Sequence, residues 1–222
     1  MNEIEHWDNQ WKKRIISDDR VKMNMPKFWK IRRELLKRPS FGRAEKLEIG
    51  CASGIHARIM AQDNPWWKER WTGIDLSEIA VNYAKKIGMN AIVADISTFK
   101  TDKRFNVFLL LDTLEHIKDR DAAAATIKSL GAKSYIIFGN IPLYTGKLAH
   151  ESGCEWPVSP ADVVDFLKKA GCTKSMWYYM YGMSACPYML FESSTLGYVT
   201  HDVGAADMND QYCEFPKESG NE

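Results

Sequence analysis

The sequence predicts an α/β protein in which a doubly wound, mostly parallel sheet carries a C-terminal antiparallel hairpin and an N-terminal helical cap. Three observations lead there. From residue 44 onward, short apolar runs alternate with helix-length stretches at the spacing of strand–helix–strand units, which place their strands in parallel. The run Phe105–Leu111 is almost continuously apolar, as befits a central strand buried on both faces. Near the C-terminus, the runs 175–182 and 188–192 are separated by too few residues for a helix, so they must pair antiparallel.

The elements follow in order. Residues 3–14 and 26–38 read as helices of the cap. In the second, Pro26 sits near the first turn, where a missing N–H costs nothing, and Phe28, Trp29, Ile31, Leu35 and Leu36 form an apolar side. Lys46–Cys51 is a strand running into the turn Gly-Cys-Ala-Ser-Gly, and a helix opens at Gly54 and runs to about residue 63. Trp71–Ile74 is a second strand ending at Asp75, followed by a helix from Leu76 to Lys86. Ala91–Ala94 is a third strand ending at Asp95. After Phe105–Leu111 come a helix over 119–130, a fifth strand over Ser134–Phe138 and a helix over 160–170. Residues from Gly197 onward are polar and acidic, and read as a loosely ordered tail.

Composition narrows the function. The 222 residues favour one domain, large enough to bury roughly 70 % of the unfolded chain's surface without staples. A hydrophobic share of 45 % and a charged share of 27 % exclude a disordered or collagen-like chain. No apolar run approaches the roughly 18 residues that span a bilayer, and the polar start, Met1 to Trp11, is no signal peptide. Five cysteines, odd in number and without a Cys-x-x-Cys pair, read as reduced thiols; a cytoplasmic protein with no membrane partner is expected.

Chemistry is read at the strand ends, because a doubly wound sheet binds ligands there. The first strand ends in Glu48-Ile49-Gly50-Cys51-Ala52-Ser53-Gly54, where Gly50 and Gly54 let the backbone turn sharply and approach a ligand. N–H groups at the start of the following helix suit an anion. Asp75 can accept from both hydroxyls of a ribose, and Asp95 from an exocyclic amine such as adenine N6. Acids at such places also cap helices and form turns. A glycine turn and two acids on three successive strand ends together point to an adenosine-type ligand.

This constellation resembles the class I S-adenosylmethionine-dependent methyltransferases. The residues that carry the resemblance are Leu47–Gly54, Thr72-Gly73-Ile74-Asp75-Leu76-Ser77, Ala94-Asp95-Ile96 and Leu111-Asp112-Thr113-Leu114-Glu115-His116-Ile117, within residues 44–196. It implies a Rossmann-like seven-stranded sheet and S-adenosyl-L-methionine as cofactor. It further implies that Glu48 and Gly50, Cys51, Ala52, Ser53 and Gly54 surround the methionine part, that Asp75 and Leu76 hold the ribose, and that Asp95 and Ile96 meet the adenine. Leu111, Asp112 and Trp11 complete the expected cofactor contacts. Ala52 stands where a nicotinamide-binding Gly-x-Gly-x-x-Gly turn has its second glycine, which disfavours a dehydrogenase.

The domains expected are a helical cap over 1–43, the S-adenosylmethionine-binding methyltransferase domain over 44–198 and an acidic tail over 199–222. The segment Leu114-Glu115-His116, with Ile141-Pro142, His150 and Ser159-Pro160, looks like a subgroup with small-molecule acceptors. His116 and His150, with Glu115, are the expected catalytic residues, because a hydroxyl acceptor needs a base with a pKa near 6.5. Asp112, Glu115, His116 and His150 could also hold a divalent metal; cofactor contact by Asp112, with helix capping by Glu115-His116, is the favoured alternative, and no metal is expected. Trp7 and Trp11 share one helical face, suiting either a lid on the cofactor or core. Asn140-Ile141-Pro142-Leu143-Tyr144 superficially resembles the Asn-Pro-Pro-Tyr motif of DNA N-methyltransferases, but it follows the fifth strand rather than the fourth.

Residues 1–46 hold 13 Lys/Arg against 7 Asp/Glu, a net of +6, and residues 200–222 one Lys against 6 Asp/Glu, a net of −5. The basic arm (Lys30, Arg32, Arg33, Lys37, Arg38) leaves an RNA methyltransferase as one alternative, and a non-catalytic adenosine-binding scaffold is another. A net charge of +1 for the whole chain favours a solvated helix face instead. A small-molecule acceptor, with methyl transfer to oxygen or nitrogen by a monomer or homodimer, is therefore expected.

Overall fold

A computed structural model describes residues 2–15, 43–61, 67–142, 156, 158–180, 188–195 and 209–214. Its order is α1 (Glu3–Ile15), β1 (Lys46–Ile49), α2 (Ile55–Ala61), α3 (Trp67–Arg70), β2 (Trp71–Asp75), α4 (Glu78–Lys86), β3 (Asn90–Val93) and β4 (Phe105–Leu111). A single 3₁₀ turn (Leu114–His116) leads to α5 (Arg120–Leu130), β5 (Gly131–Pro142), α6 (Pro160–Lys169), β6 (Lys174–Met180), β7 (Tyr188–Ser194) and β8 (Asn209–Glu214). The expected cap helix over 26–38, and the basic arm it carries, lie outside the described residues.

All eight strands form one sheet in the order β3-β2-β1-β4-β5-β7-β6-β8. The first five are parallel to their neighbours, and β7 then runs antiparallel to both β5 and β6. This is the expected seven-stranded arrangement with one addition. Asn209–Glu214, inside the stretch read as a loose tail, pairs antiparallel with β6 as an eighth strand.

Local chemistry explains the boundaries. Ser77 caps α4 by accepting from Ala80 N, and Ser159 opens α6 in a reciprocal capping box with Asp162, Pro160 filling the first turn. Strand β4 holds the middle of the core: Phe105 and Val107–Leu111 are buried, and Phe105, Phe108 and Leu110 share one core cluster with Leu47, Ile137 and Phe191. Strands β1 and β4 are adjacent although distant in sequence, so chain direction across the sheet reverses between them. That reversal opens a cleft at their carboxyl ends.

Candidate active site

Three strand ends meet at this cleft. Beyond β1, the N–H groups of Gly50 and Cys51 both donate to the Ile74 carbonyl, at 2.9 and 3.0 Å, and Gly54 N–H closes the turn on the Cys51 carbonyl at 2.9 Å. Gly50 has φ +69°, and a Cβ there would lie 2.6 Å from the Thr113 hydroxyl, so glycine is required by both dihedral and space. Ala52, at the expected second glycine position, also takes a left-handed φ of 53°. That conformation costs an L-residue roughly 1–2 kcal/mol. Cys51, Ser53 and Gly54 are buried and Ala52 half-buried. Burial pushes the Cys51 thiol up, with the Asp75 and Glu48 carboxylates adding to it.

At the end of β2, the Asp75 carboxylate accepts from Ala52 N at 2.8 Å and from Ser77 N at 2.9 Å. Burial pushes its pKa up to about 6; the two N–H donors oppose this, and the Glu48 and Asp8 carboxylates add to it. Each oxygen keeps acceptor capacity beyond the one bond it makes, which is what a ribose diol needs. Leu76 is half-buried beside it. At the end of β3, Asp95 is exposed and accepts from Ser97 N at 2.8 Å, so it forms the local turn, while Ile96 is buried in the core.

Strand β4 ends in buried Leu111, and Asp112 follows with φ +51°. Asn140, at the matching register of β5 and fully buried, donates from Nδ2 to Asp112 Oδ1 and accepts from Asp112 N at 3.3 Å. The Thr113 hydroxyl lies 3.0 Å from the Ile49 carbonyl, tying β4 to β1. Glu115 is buried, and its main-chain carbonyl accepts from Trp156 N at 2.8 Å; His116 is half-buried. Expected catalytic residue His150 lies outside the described residues. Among the described residues, no group of three His, Cys, Asp or Glu is arranged to hold a metal ion.

Helix α1 crosses these strand ends. Its Asp8 accepts from the Ser77 hydroxyl at 2.6 Å beside β2, and its Trp7 ring meets the His116 ring edge-on at 4.7 Å beyond β4. Glu3 approaches the end of β3: its carboxyl is raised by burial and by the Asp95 carboxylate, against Lys118 and His6. Trp11 is half-buried on the same helix.

Glu48 turns away from the expected role at the methionine part. Only 1 % exposed, it spends Oε1 on His56 Nδ1 at 2.6 Å and Oε2 on Trp71 Nε1 at 3.0 Å, inside the fold. Sequence reasoning missed His56 and Asp8, and it met Asn140 only as the start of a superficial motif likeness, not as the partner of Asp112. His56 follows the glycine turn and Asn140 ends an apolar run, which are weak signals; nothing in the N-terminal pattern singles out Asp8.

The geometry fits an adenosyl methyl donor. A paired backbone turn that excludes a Cβ at Gly50, a half-buried carboxylate one strand over and a helix laid across both make a covered, partly polar cleft. Comparisons with known proteins agree. No curated protein sequence matches the chain. Among solved structures, the N-methyltransferase NodS from Bradyrhizobium japonicum, in complex with S-adenosylhomocysteine, shares 20 % identity at a TM-score of 0.63, over 84 % of this chain and 97 % of that one. Phosphoethanolamine N-methyltransferase 2 of Haemonchus contortus, holding phosphomonomethylethanolamine and S-adenosylhomocysteine, gives 15 % and 0.69, over 87 % and 60 %. The magnesium protoporphyrin IX methyltransferase of Synechocystis, with S-adenosylhomocysteine bound, gives 15 % and 0.51, over 68 % and 73 %. These show the shared fold. The family profile described as "Methyltransferase domain" matches residues 23–169, and the chain therefore belongs to the S-adenosylmethionine-dependent methyltransferases.

Proposed function

We propose that this enzyme transfers the methyl group of S-adenosylmethionine to an oxygen or nitrogen of a small molecule. The observation that carries the reading is the seat of α1. Asp8 on the Ser77 hydroxyl and Trp7 on the His116 ring lay one helix directly over the strand ends, which suits a small acceptor enclosed with the donor. The names of two similar structures, both N-methyltransferases, and the phosphomonomethylethanolamine held by one of them, lean the same way.

When bound, the donor supplies a methyl group already activated on a sulfonium. The chain's own task is then orientation and exclusion of water, effects that supply roughly 7–11 kcal/mol of barrier reduction. The turn 50–54 would hold the methionine part and Asp75 the ribose. A hydroxyl acceptor needs its proton removed, and His116, half-buried under Trp7, is the base the described residues offer.

Calorimetric titration with S-adenosylhomocysteine tests the donor site, and a screen of small hydroxyl and amine compounds with labelled donor tests the acceptor class. Binding weakened tenfold or more in Asp75→Ala, together with label transferred to small compounds, is the expected result. Label entering only RNA or protein would overturn the small-molecule reading.

A further inference from the structure

The first turn of α1 carries a side-chain nitrogen with nothing to bond. His6 Nε2 is sealed from solvent and makes no hydrogen bond among the described residues. A ring nitrogen taken out of water without a partner destabilises the fold, so such atoms are rare and each needs a reason. Fraying does not supply one. Asn2 Oδ1 accepts from Glu5 N at 2.9 Å while the Glu5 carboxylate accepts from Asn2 N at 3.4 Å, a reciprocal cap that closes the turn carrying His6. Two residues further on, Asp8 is fastened to Ser77. The Glu3 carboxyl acts on His6 electrostatically but gives Nε2 no hydrogen bond.

The place of this nitrogen gives the reason. The His6 ring meets Trp7 edge-on at 5.1 Å, and Trp7 meets His116 edge-on at 4.7 Å. This row of three rings sets His6, on the helix laid across the strand ends, one indole away from the base offered to the acceptor. We propose that His6 is an acceptor-binding residue whose Nε2 takes the hydrogen bond of the O–H or N–H on the atom to be methylated, a role that rests on the small-molecule reading above. The tautomer with its proton on Nδ1 leaves Nε2 free to accept that bond. Holding the hydrogen fixes the direction of the atom's lone pair, which is the orientation that methyl transfer needs.

A nitrogen kept for a ligand and a ring kept for packing respond oppositely to substitution. His6→Phe keeps a ring against Trp7 and removes the unpaired atom; His6→Gln keeps a polar amide that reaches about as far as Nε2. Scanning calorimetry of the free full chain and titration with S-adenosylhomocysteine supply two readouts. The third is the rate of methylation of whichever small phenol, alcohol or amine the wild type methylates fastest. His6→Phe should melt at or above the wild-type temperature and bind S-adenosylhomocysteine within twofold, yet lose tenfold or more in kcat/KM for that compound. His6→Gln should recover most of the loss. A lower Tm in His6→Phe, with donor and acceptor weakened in parallel, would make the ring structural and overturn the proposal. Unchanged kcat/KM would overturn it too. So would a tenfold loss confined to S-adenosylhomocysteine, which would assign the nitrogen to the donor's adenine. A wild type that methylates no such compound would overturn the small-molecule reading itself, a failure visible before any variant is made.

Discussion

The Asp8 carboxylate accepts a hydrogen bond of 2.6 Å from the Ser77 hydroxyl, joining the first helix to the end of β2 across 69 residues of chain. The same carboxylate oxygen lies 3.4 Å from Ile79 N, while Ser77 N donates to Asp75 at 2.9 Å. One capping serine therefore links the helix that covers the cleft to the carboxylate proposed to hold the ribose. Asp8→Ala should release α1 while leaving the sheet intact. Limited proteolysis should cut within residues 2–15 several-fold faster, and S-adenosylhomocysteine should bind roughly three- to tenfold more weakly, with a stability loss of about 1 kcal/mol. An unchanged cleavage rate would assign the seating of α1 to the Trp7–His116 contact instead.

Asp75 makes donor binding depend on pH. Burial raises its pKa to about 6, and ribose hydroxyls donate best to the ionised form. Affinity for S-adenosylhomocysteine should therefore fall as pH drops through about 6, with one proton taken up by the free protein, and Asp75→Asn should flatten that dependence. Folding responds in the opposite sense. A carboxyl raised from 3.8 contributes stability that is fully present below 3.8 and is lost as pH rises through about 6. Calorimetry at several pH values tests the first statement and denaturant melts test the second.

These sites were legible in the sequence to different degrees. Phe105–Leu111 announced the central strand, because burial on both faces leaves an unbroken apolar run. Asp75 and the turn 50–54 were visible because acids and glycines immediately after apolar runs fall at strand ends. Asn209–Glu214 was not visible as a strand: its sequence NDQYCE is mostly polar and shows no apolar alternation, and its place is set by pairing with β6. The roles of Asp8, His56 and Asn140 escaped for a related reason. Each residue acts on a partner brought close only by the tertiary fold, and no local periodicity records that.

Ala52→Gly should stabilise the protein. Ala52 holds φ 53° to present its N–H to Asp75 at 2.8 Å, and glycine adopts that angle without the Cβ clash. Relief of roughly 1–2 kcal/mol, offset by about 0.5–1 kcal/mol of added chain entropy, leaves a net gain below about 1.5 kcal/mol. That corresponds to a rise in Tm of a few degrees at this chain length, measurable by calorimetry. A lower Tm would mean that the turn gains more from the Ala52 methyl than its strain costs.

His56 and Glu48 form a buried unit whose value shows only when it is broken. His56→Ala leaves Oε1 of a carboxylate that is 1 % exposed without its partner at 2.6 Å. A loss of roughly 3 kcal/mol is expected, and with it a Tm lower by about 6–12 °C. Glu48→Gln should cost less than about 1 kcal/mol. Its Oε1 can face the Trp71 indole N–H, which only donates, and its amide can donate to His56 Nδ1. Equal losses in the two variants would show that the negative charge, rather than hydrogen-bond pairing, matters there.

Gly50→Ala separates two reasons for one glycine. Its φ of +69° penalises any Cβ by roughly 1–2 kcal/mol, and that Cβ would also lie 2.6 Å from Thr113 Oγ1 and 2.8 Å from its Cγ2. The single variant should lose roughly 2–4 kcal/mol by denaturant unfolding, together with most of its donor affinity, because the Gly50 and Cys51 N–H groups are both held on the Ile74 carbonyl. Placing the same change in a Thr113→Ala background removes the collision and keeps the dihedral penalty. The cost of Gly50→Ala should then shrink to about 1–2 kcal/mol, a coupling of 1 kcal/mol or more between the two sites. Strict additivity would mean that Thr113 moves aside freely. It would then contradict a turn after β1 held rigidly against the end of β4, the arrangement on which the fixed place of Asp112 depends.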